Sequence, residues 1–247
     1  VQKFGHPDVI VTNNYPRDYR KAGQIFDIIL ADVPCSGEGM FRKDAGAVSE
    51  WSLQNVEKCQ ALQRSIVEDI WPCLRDGGLL VYSTCTFNAR ENEENVSWIA
   101  RNLGADFVEL ETPDEWNITG SLVDSHPVYR FIPGLTSGEG LFITVLRKHG
   151  EGADVLKEAC TTAVKGAERK RHKGRERGTS HAADTAQTAA WLQGDFTLMD
   201  EKGCIRAIPT WWAPVYNRVK TSLHAIHAGV TAGNIKGRDV VPDTSLA

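Results

Sequence analysis

A doubly wound α/β fold on a mainly parallel sheet is predicted by three features of this sequence. Short apolar runs alternate with helical segments over residues 1–149. Two of those runs, "FDIILA" (26–31) and "LLVYSTCT" (79–86), are apolar without alternation, as strands buried on both faces require. A helical segment separates them, which implies a βαβ unit whose strands are parallel neighbours.

The elements follow in order. "DVIVT" (8–12) is a β-branched run closed by the turn-rich "NNYPRD". Residues 52–75 read as a long helix: Ser52 is its N-cap, and Leu53, Val56, Leu62, Ile66, Ile70 and Leu74 keep helical spacing. Gly77 and Gly78 are expected to end it before the strand 79–86. A second helix, 91–103, opens with "ENEEN", acidic residues that suit the positive end of a helix dipole. "DFVEL" (106–110) reads as a further strand, and "YRFIP" (129–133) with "LFITVLRK" (141–148) as a closing pair. Beyond residue 149 the texture changes. Residues 150–190 read as a linker, and 191–247 as a small β-rich module.

The composition bounds the function. The chain has 247 residues, 41% hydrophobic and 24% charged, the balance of a globular protein. No run of about 18 apolar residues is present, which excludes a membrane-spanning helix. No signal peptide is visible, so a cytoplasmic protein with reduced thiols is expected. The net charge of −4 does not favour a nucleic-acid partner, but it hides a basic run. Between Lys165 and Arg177 seven of thirteen residues are Lys or Arg. The chain opens on Val and reaches a strand within ten residues, the expectation for a fragment whose N-terminal strands are missing. Six cysteines contain no C-x-x-C pair, and no His spacing suggests ligands, so no metal site is expected.

Two cysteines stand apart. Cys35, in "DVPCSGEG", follows the strand 26–31, and Cys85, in "STCT", ends the strand 79–86. A lone cysteine is usually a small buried hydrophobe. Two at the carboxyl ends of adjacent parallel strands instead open into the cleft where α/β folds bind ligands, together with Asp32. Pro34 restricts the backbone before Cys35, and Gly37 and Gly39 permit close approach. Two thiols and a carboxylate suit substitution at carbon 5 of a pyrimidine. A thiolate adds at carbon 6, carbon 5 becomes nucleophilic, and a second thiol assists release. These residues leave open which thiol attacks.

"DVPCSGEGMFRKD", "YSTCTFNARENEENV" and "SGEGLFITVLRK" resemble the RNA (cytosine-5) methyltransferase family, in particular its bacterial ribosomal RNA branch. The resemblance covers residues 1–148 closely and the remainder loosely. It implies a Rossmann-like class I methyltransferase domain, here its C-terminal half, with part of a β-rich RNA-binding module at 191–247. It also implies S-adenosylmethionine as methyl donor and a cytosine of RNA as substrate, in 16S ribosomal RNA, with transfer RNA as the alternative. In this family Cys85 is the nucleophile, Cys35 assists product release, and Asp32 contacts the cytosine. Asp32, Pro34 and Asn14 are the implied donor contacts. The family's Gly-rich donor loop and ribose-binding acidic residue are absent, and Tyr15 stands where an Asp is usual, so this chain alone is expected to be inactive.

Arg42 and Lys43 are candidate contacts to substrate phosphates, and Lys170, Arg171 and Lys173 to RNA in general. Trp211 and Trp212 are placed in the core of the small module in preference to stacking on bases. "SGEG" occurs at 36–39 and 137–140 without a repeat period, the second as a turn near the cleft. The expected state is a monomer. Two other classes stay open: a non-catalytic RNA-binding protein that keeps the fold, and a thiol redox protein using Cys35 and Cys85.

Overall fold

The computed structural model describes residues 6–150, 188, 191–192, 194–201, 203–237 and 239–244. The chain divides into two compact units, Pro16–Ala153 and Val1–Tyr15 with Asp154–Ala247. Lys170, Arg171 and Lys173, with the rest of the basic run, lie outside the described residues. The first strand, β1 (Ile10–Thr12), groups with the C-terminal residues, pairing antiparallel with Ala225–Ala228.

The unit Pro16–Ala153 holds β2 (Phe26–Asp32), α1 (Ala45–Glu50), α2 (Leu53–Ile70), β3 (Leu74–Thr84), α3 (Glu93–Leu103), β4 (Ala105–Phe107), β5 (Tyr129–Phe131) and β6 (Leu141–Lys148). The sheet order is β2-β3-β6-β4, with β5 also on β6. β2 and β3 are parallel, and β6 runs antiparallel to both β3 and β4. Hence β2, β3 and β4 share one direction and the last strand is inserted between two of them reversed. The closing pair expected at 129–133 and 141–148 is present as β5 and β6.

Helix α2 starts where the sequence places it: the Ser52 hydroxyl accepts the Asn55 N–H at 3.1 Å. It ends earlier than expected, at Ile70, because Pro72 turns the chain into a short 3₁₀ segment, Trp71–Cys73. Leu74 therefore belongs to β3, and Gly77 and Gly78 lie inside that strand. The register with β2 slips between Phe26 and Ile28 there, so the glycines mark an irregular strand instead of a helix end. Gly78 has no room for a side chain, since a Cβ would sit 2.9 Å from the Asp27 carbonyl oxygen. The fourth strand is shorter than predicted: Ala105–Phe107 pair with β6, and one further bond, Val108 N–H to the Val145 carbonyl at 2.9 Å, ends the contact.

The core between sheet and helices joins Val67 and Trp71 to Leu80, Tyr82, Phe142 and Leu146, with Val96 and Ile99 of α3. β2 lies at the end of the sheet, and Ile28 and Leu30 are 59% and 69% exposed on one of its faces.

In the other unit, β7 (Phe196–Glu201), β8 (Cys204–Pro209), β10 (Val230–Lys236) and β11 (Asp239–Pro242) form an antiparallel sheet in the order β11-β10-β8-β7. Helix α4 (Ala213–Ser222) packs near β9 (Ala225–Ala228), the partner of β1. Trp212 joins Ile208, Tyr216 and Ala228 in its core, whereas Trp211 is half exposed. Among the described residues no helix is long and apolar enough to cross a membrane.

Candidate active site

The register of the two parallel strands decides where the thiols go. Asp32 pairs with Ser83 at the carboxyl end of the ladder, and one further bond, Val33 N–H to the Ser83 carbonyl at 3.1 Å, closes it. Each chain then leaves its strand, and the next cysteine on each meets the other: the Cys35 and Cys85 sulfurs are 3.1 Å apart. Asp32 is exposed and accepts the Ser83 hydroxyl at 3.0 Å. Ligands bind at this end of parallel sheets.

Two glycines make the approach possible. Gly37 adopts φ +78°, a left-handed turn that favours glycine, and starts a short 3₁₀ segment, Glu38–Met40. Gly39 then donates its N–H to the Cys85 carbonyl at 2.7 Å. A Cβ on Gly39 would lie 2.4 Å from that oxygen, so only glycine fits.

Side chains tie the two loops further. Glu38 accepts the backbone N–H groups of Phe87 and Asn88 at 2.6 and 2.9 Å. Glu91, fully buried, accepts the Ser36 N–H at 3.0 Å and the Gln63 amide at 2.6 Å. The Ser36 and Thr86 hydroxyls are bonded at 3.1 Å. Behind them Arg130, 1% exposed, forms a buried ion pair with Glu93 and donates to the Phe87 carbonyl at 2.9 Å. The second "SGEG" also borders this site: a Cβ on Gly140 would meet the Phe87 ring at 2.3 Å.

The thiols are electrostatically unequal. Cys85 is held down to about 7, first by the hydrogen bond from the Cys35 thiol, against burial and the charges of Asp32 and Glu91, which raise it. Cys35 is pushed up by the same hydrogen bond, by burial and by the charge on Cys85. The 3.1 Å contact lets the pair share one proton, so that one thiolate forms more readily than in an isolated cysteine.

The structure brings Cys35, Cys85, Asp32 and Pro34 together. Asn14 belongs to the other unit, where its Oδ1 accepts the His224 N–H at 3.0 Å. Lys43 is ion-paired with Glu139, and Arg42 is exposed near it in the chain. Sequence reasoning missed Glu38, Asn88 and Glu91. "ENEEN" reads as an acidic helix start suited to the helix dipole, and Glu91, Asn92, Glu93 and Asn95 are each at most 1% exposed. No sequence signal separates a buried carboxylate from an exposed one here, because its partners come from other elements. Among the described residues no cluster could hold a metal.

Strands β2, β3 and β4 in one direction, a reversed β6 between two of them and a cleft at the carboxyl ends define a Rossmann-like class I methyltransferase fold. Residues 1–147 match the family described as 16S rRNA methyltransferase RsmB/F, and the chain belongs to that family. It is 37% identical over 129 residues to ribosomal RNA small subunit methyltransferase F of Photobacterium profundum, covering 52% of this chain and 27% of that protein. The protein of the same name from Klebsiella pneumoniae is 32% identical over 230 residues, 90% of this chain and 46% of that one. Among solved structures, that of NSun6 from Pyrococcus horikoshii with SFG is 30% identical, with a TM-score of 0.45 over 57% of this chain and 34% of the other. The chain spans less than half the length of these relatives.

Proposed function

We propose that the full-length protein methylates carbon 5 of a cytosine in ribosomal RNA, with Cys85 as nucleophile. The observation that carries this is the 3.1 Å thiol pair beside Asp32 at the ends of two parallel strands. The Cys85 thiolate adds to carbon 6 of the base, and the ring electrons move to carbon 5. S-adenosylmethionine, when bound, supplies the electrophilic methyl group. Once carbon 5 carries the methyl, a base takes its proton, the freed electron pair reforms the 5,6 double bond, and the carbon–sulfur bond breaks to return the Cys85 thiolate, with Cys35 assisting this release. Asp32 lies where it can hydrogen-bond the ring nitrogens as charge develops. The cytosine reaches the thiols by leaving its stack.

A groove of about 500 Å³ supports donor binding next to this site, with Asp32, Pro34, Tyr19, Ile28, Leu30 and Ile66 among its lining. Its apolar wall and the carboxylate at its rim fit an adenosyl group, which Asp32 and Pro34 would hold. The side of β2 that carries no strand among the described residues supports further donor-binding strands joining the sheet there in the whole protein. Arg42 and Lys43 are proposed contacts to the RNA backbone, and the basic run around Lys170, Arg171 and Lys173 a general RNA attachment.

Covalent trapping tests the proposal. The full-length protein is incubated with S-adenosylmethionine and ribosomal RNA carrying 5-fluorocytosine, whose fluorine cannot leave as a proton. An adduct on a denaturing gel is expected for the wild type and for Cys35→Ala, and none for Cys85→Ala. Loss with Cys35→Ala alone reverses the roles of the thiols. No adduct with the folded wild type favours a non-catalytic RNA-binding protein.

A further inference from the structure

We propose that Glu38 and Glu91 are positioning residues that hold the two thiol loops at sulfur–sulfur contact, a role that rests on the reading of the thiols given above. The backbone ladder between β2 and β3 stops at Val33, before either cysteine. Past it, one backbone bond remains between the loops, from Gly39 to Cys85. Besides the bonds of the Ser36 hydroxyl to Thr86 and Asn88, the connection is made by two carboxylates that cross in opposite directions. Glu38, three residues after Cys35, caps the Phe87 and Asn88 amides just after Cys85. Glu91, six residues after Cys85, caps the amide of Ser36 just after Cys35.

Asn88 links the two carboxylates, its Nδ2 lying 3.1 Å from Glu38 Oε1 and 2.8 Å from Glu91 Oε1. Each carboxylate is also held from behind, Glu38 by the Trp51 indole N–H at 3.0 Å and Glu91 by Gln63 at 2.6 Å. All their named partners are neutral amide or indole donors. The backbone after both cysteines is therefore fixed by hydrogen bonds alone, with two negative charges kept beside a site that develops a thiolate.

That choice has a cost which makes the proposal testable by sign. The charged groups facing Cys85 are Asp32 and Glu91, beside the neutral Cys35 thiol, and both disfavour its thiolate. If Glu91 acted only through its charge, removing it would make Cys85 more acidic. If it acts by position, removing it lets the sulfurs separate, Cys85 loses the Cys35 hydrogen bond, and its thiolate becomes harder to form. Geometry outweighs charge here because the Cys35 hydrogen bond is the largest influence on Cys85 and the Glu91 charge the smallest of those acting on it.

The test reads the thiols in the full-length protein without RNA or donor. Alkylation of Cys85 by iodoacetamide is followed against pH by peptide mass spectrometry in the wild type, Glu38→Ala, Glu91→Ala, Glu38→Gln, Glu91→Gln and the core variant Val96→Ala. The wild-type midpoint is expected near pH 7. Glu38→Ala and Glu91→Ala are expected to raise it toward the ordinary thiol range, slowing alkylation at pH 7 by about 10-fold. Each Gln variant keeps one acceptor oxygen and is expected to fall between wild type and Ala. Closure of the Cys35–Cys85 disulfide by diamide, which takes up the two protons and two electrons, is expected to slow in the same order. Val96→Ala, which loosens the core away from the thiols, is expected to leave both readouts in place. A midpoint that falls or stays put in both Ala variants, or moves as far in Val96→Ala, overturns the proposal. Absence of the trapped RNA adduct with normal thiol behaviour overturns the methylation reading and leaves this one standing.

Discussion

β3 lies between β2 and β6, and Leu80, Tyr82 and Thr84 are fully buried there; among the described residues β2 has β3 on one side only, and its Ile28 and Leu30 are more than half exposed. Both strands carry the same kind of apolar run, and both end in a loop with a cysteine. The surroundings differ, yet the two ends meet within 3.1 Å. Burial along a strand and precision at its end are thus separate matters. Precision comes from the loop network around Glu38, Asn88, Glu91 and Gly39, and burial from whichever layers cover the faces.

Substitutions at matched places sharpen this contrast. The largest effect is expected for Arg130→Ala behind the Cys85 loop, which leaves Glu93 as an unpaired buried charge and costs about 3–5 kcal/mol in chemical denaturation. Leu80→Ala in β3 empties a fully buried position and is expected to cost about 2–5 kcal/mol. Gly39→Ala is expected to cost about 1–3 kcal/mol, because its Cβ meets the Cys85 carbonyl, and to slow disulfide closure as well. Leu30→Ala on the exposed face of β2 is expected to change stability by less than about 0.5 kcal/mol. A loss at Leu30 as large as that at Leu80 would mean that β2 is covered in solution, and the contrast between the strands would fail.

Much of the site was legible in the residues themselves. Proline before Cys35, glycines after it and a second cysteine one βαβ unit later are local signals, and the structure keeps each of them. The Ser52 cap and the helical spacing after it were equally local. Helical spacing alone carries α2 to residue 75, but Pro72 ends it at Ile70, ahead of the two glycines that signal a helix end in the sequence. Those glycines stand inside β3, where β2 presses close enough to exclude a Cβ.

The order of apolar runs, the two thiol loops and their shared direction follow from the sequence alone, because periodicity and glycine or proline placement act over a few residues. The tertiary structure alone decided that β1 pairs with β9, that β6 enters the sheet reversed between β3 and β4, and that the acidic start of α3 is buried. Each of these depends on partners tens to hundreds of residues away. The coupling of the two thiols belongs to the same group: it exists only because the sulfurs stand at hydrogen-bond distance, where the strand register and the loop network put them.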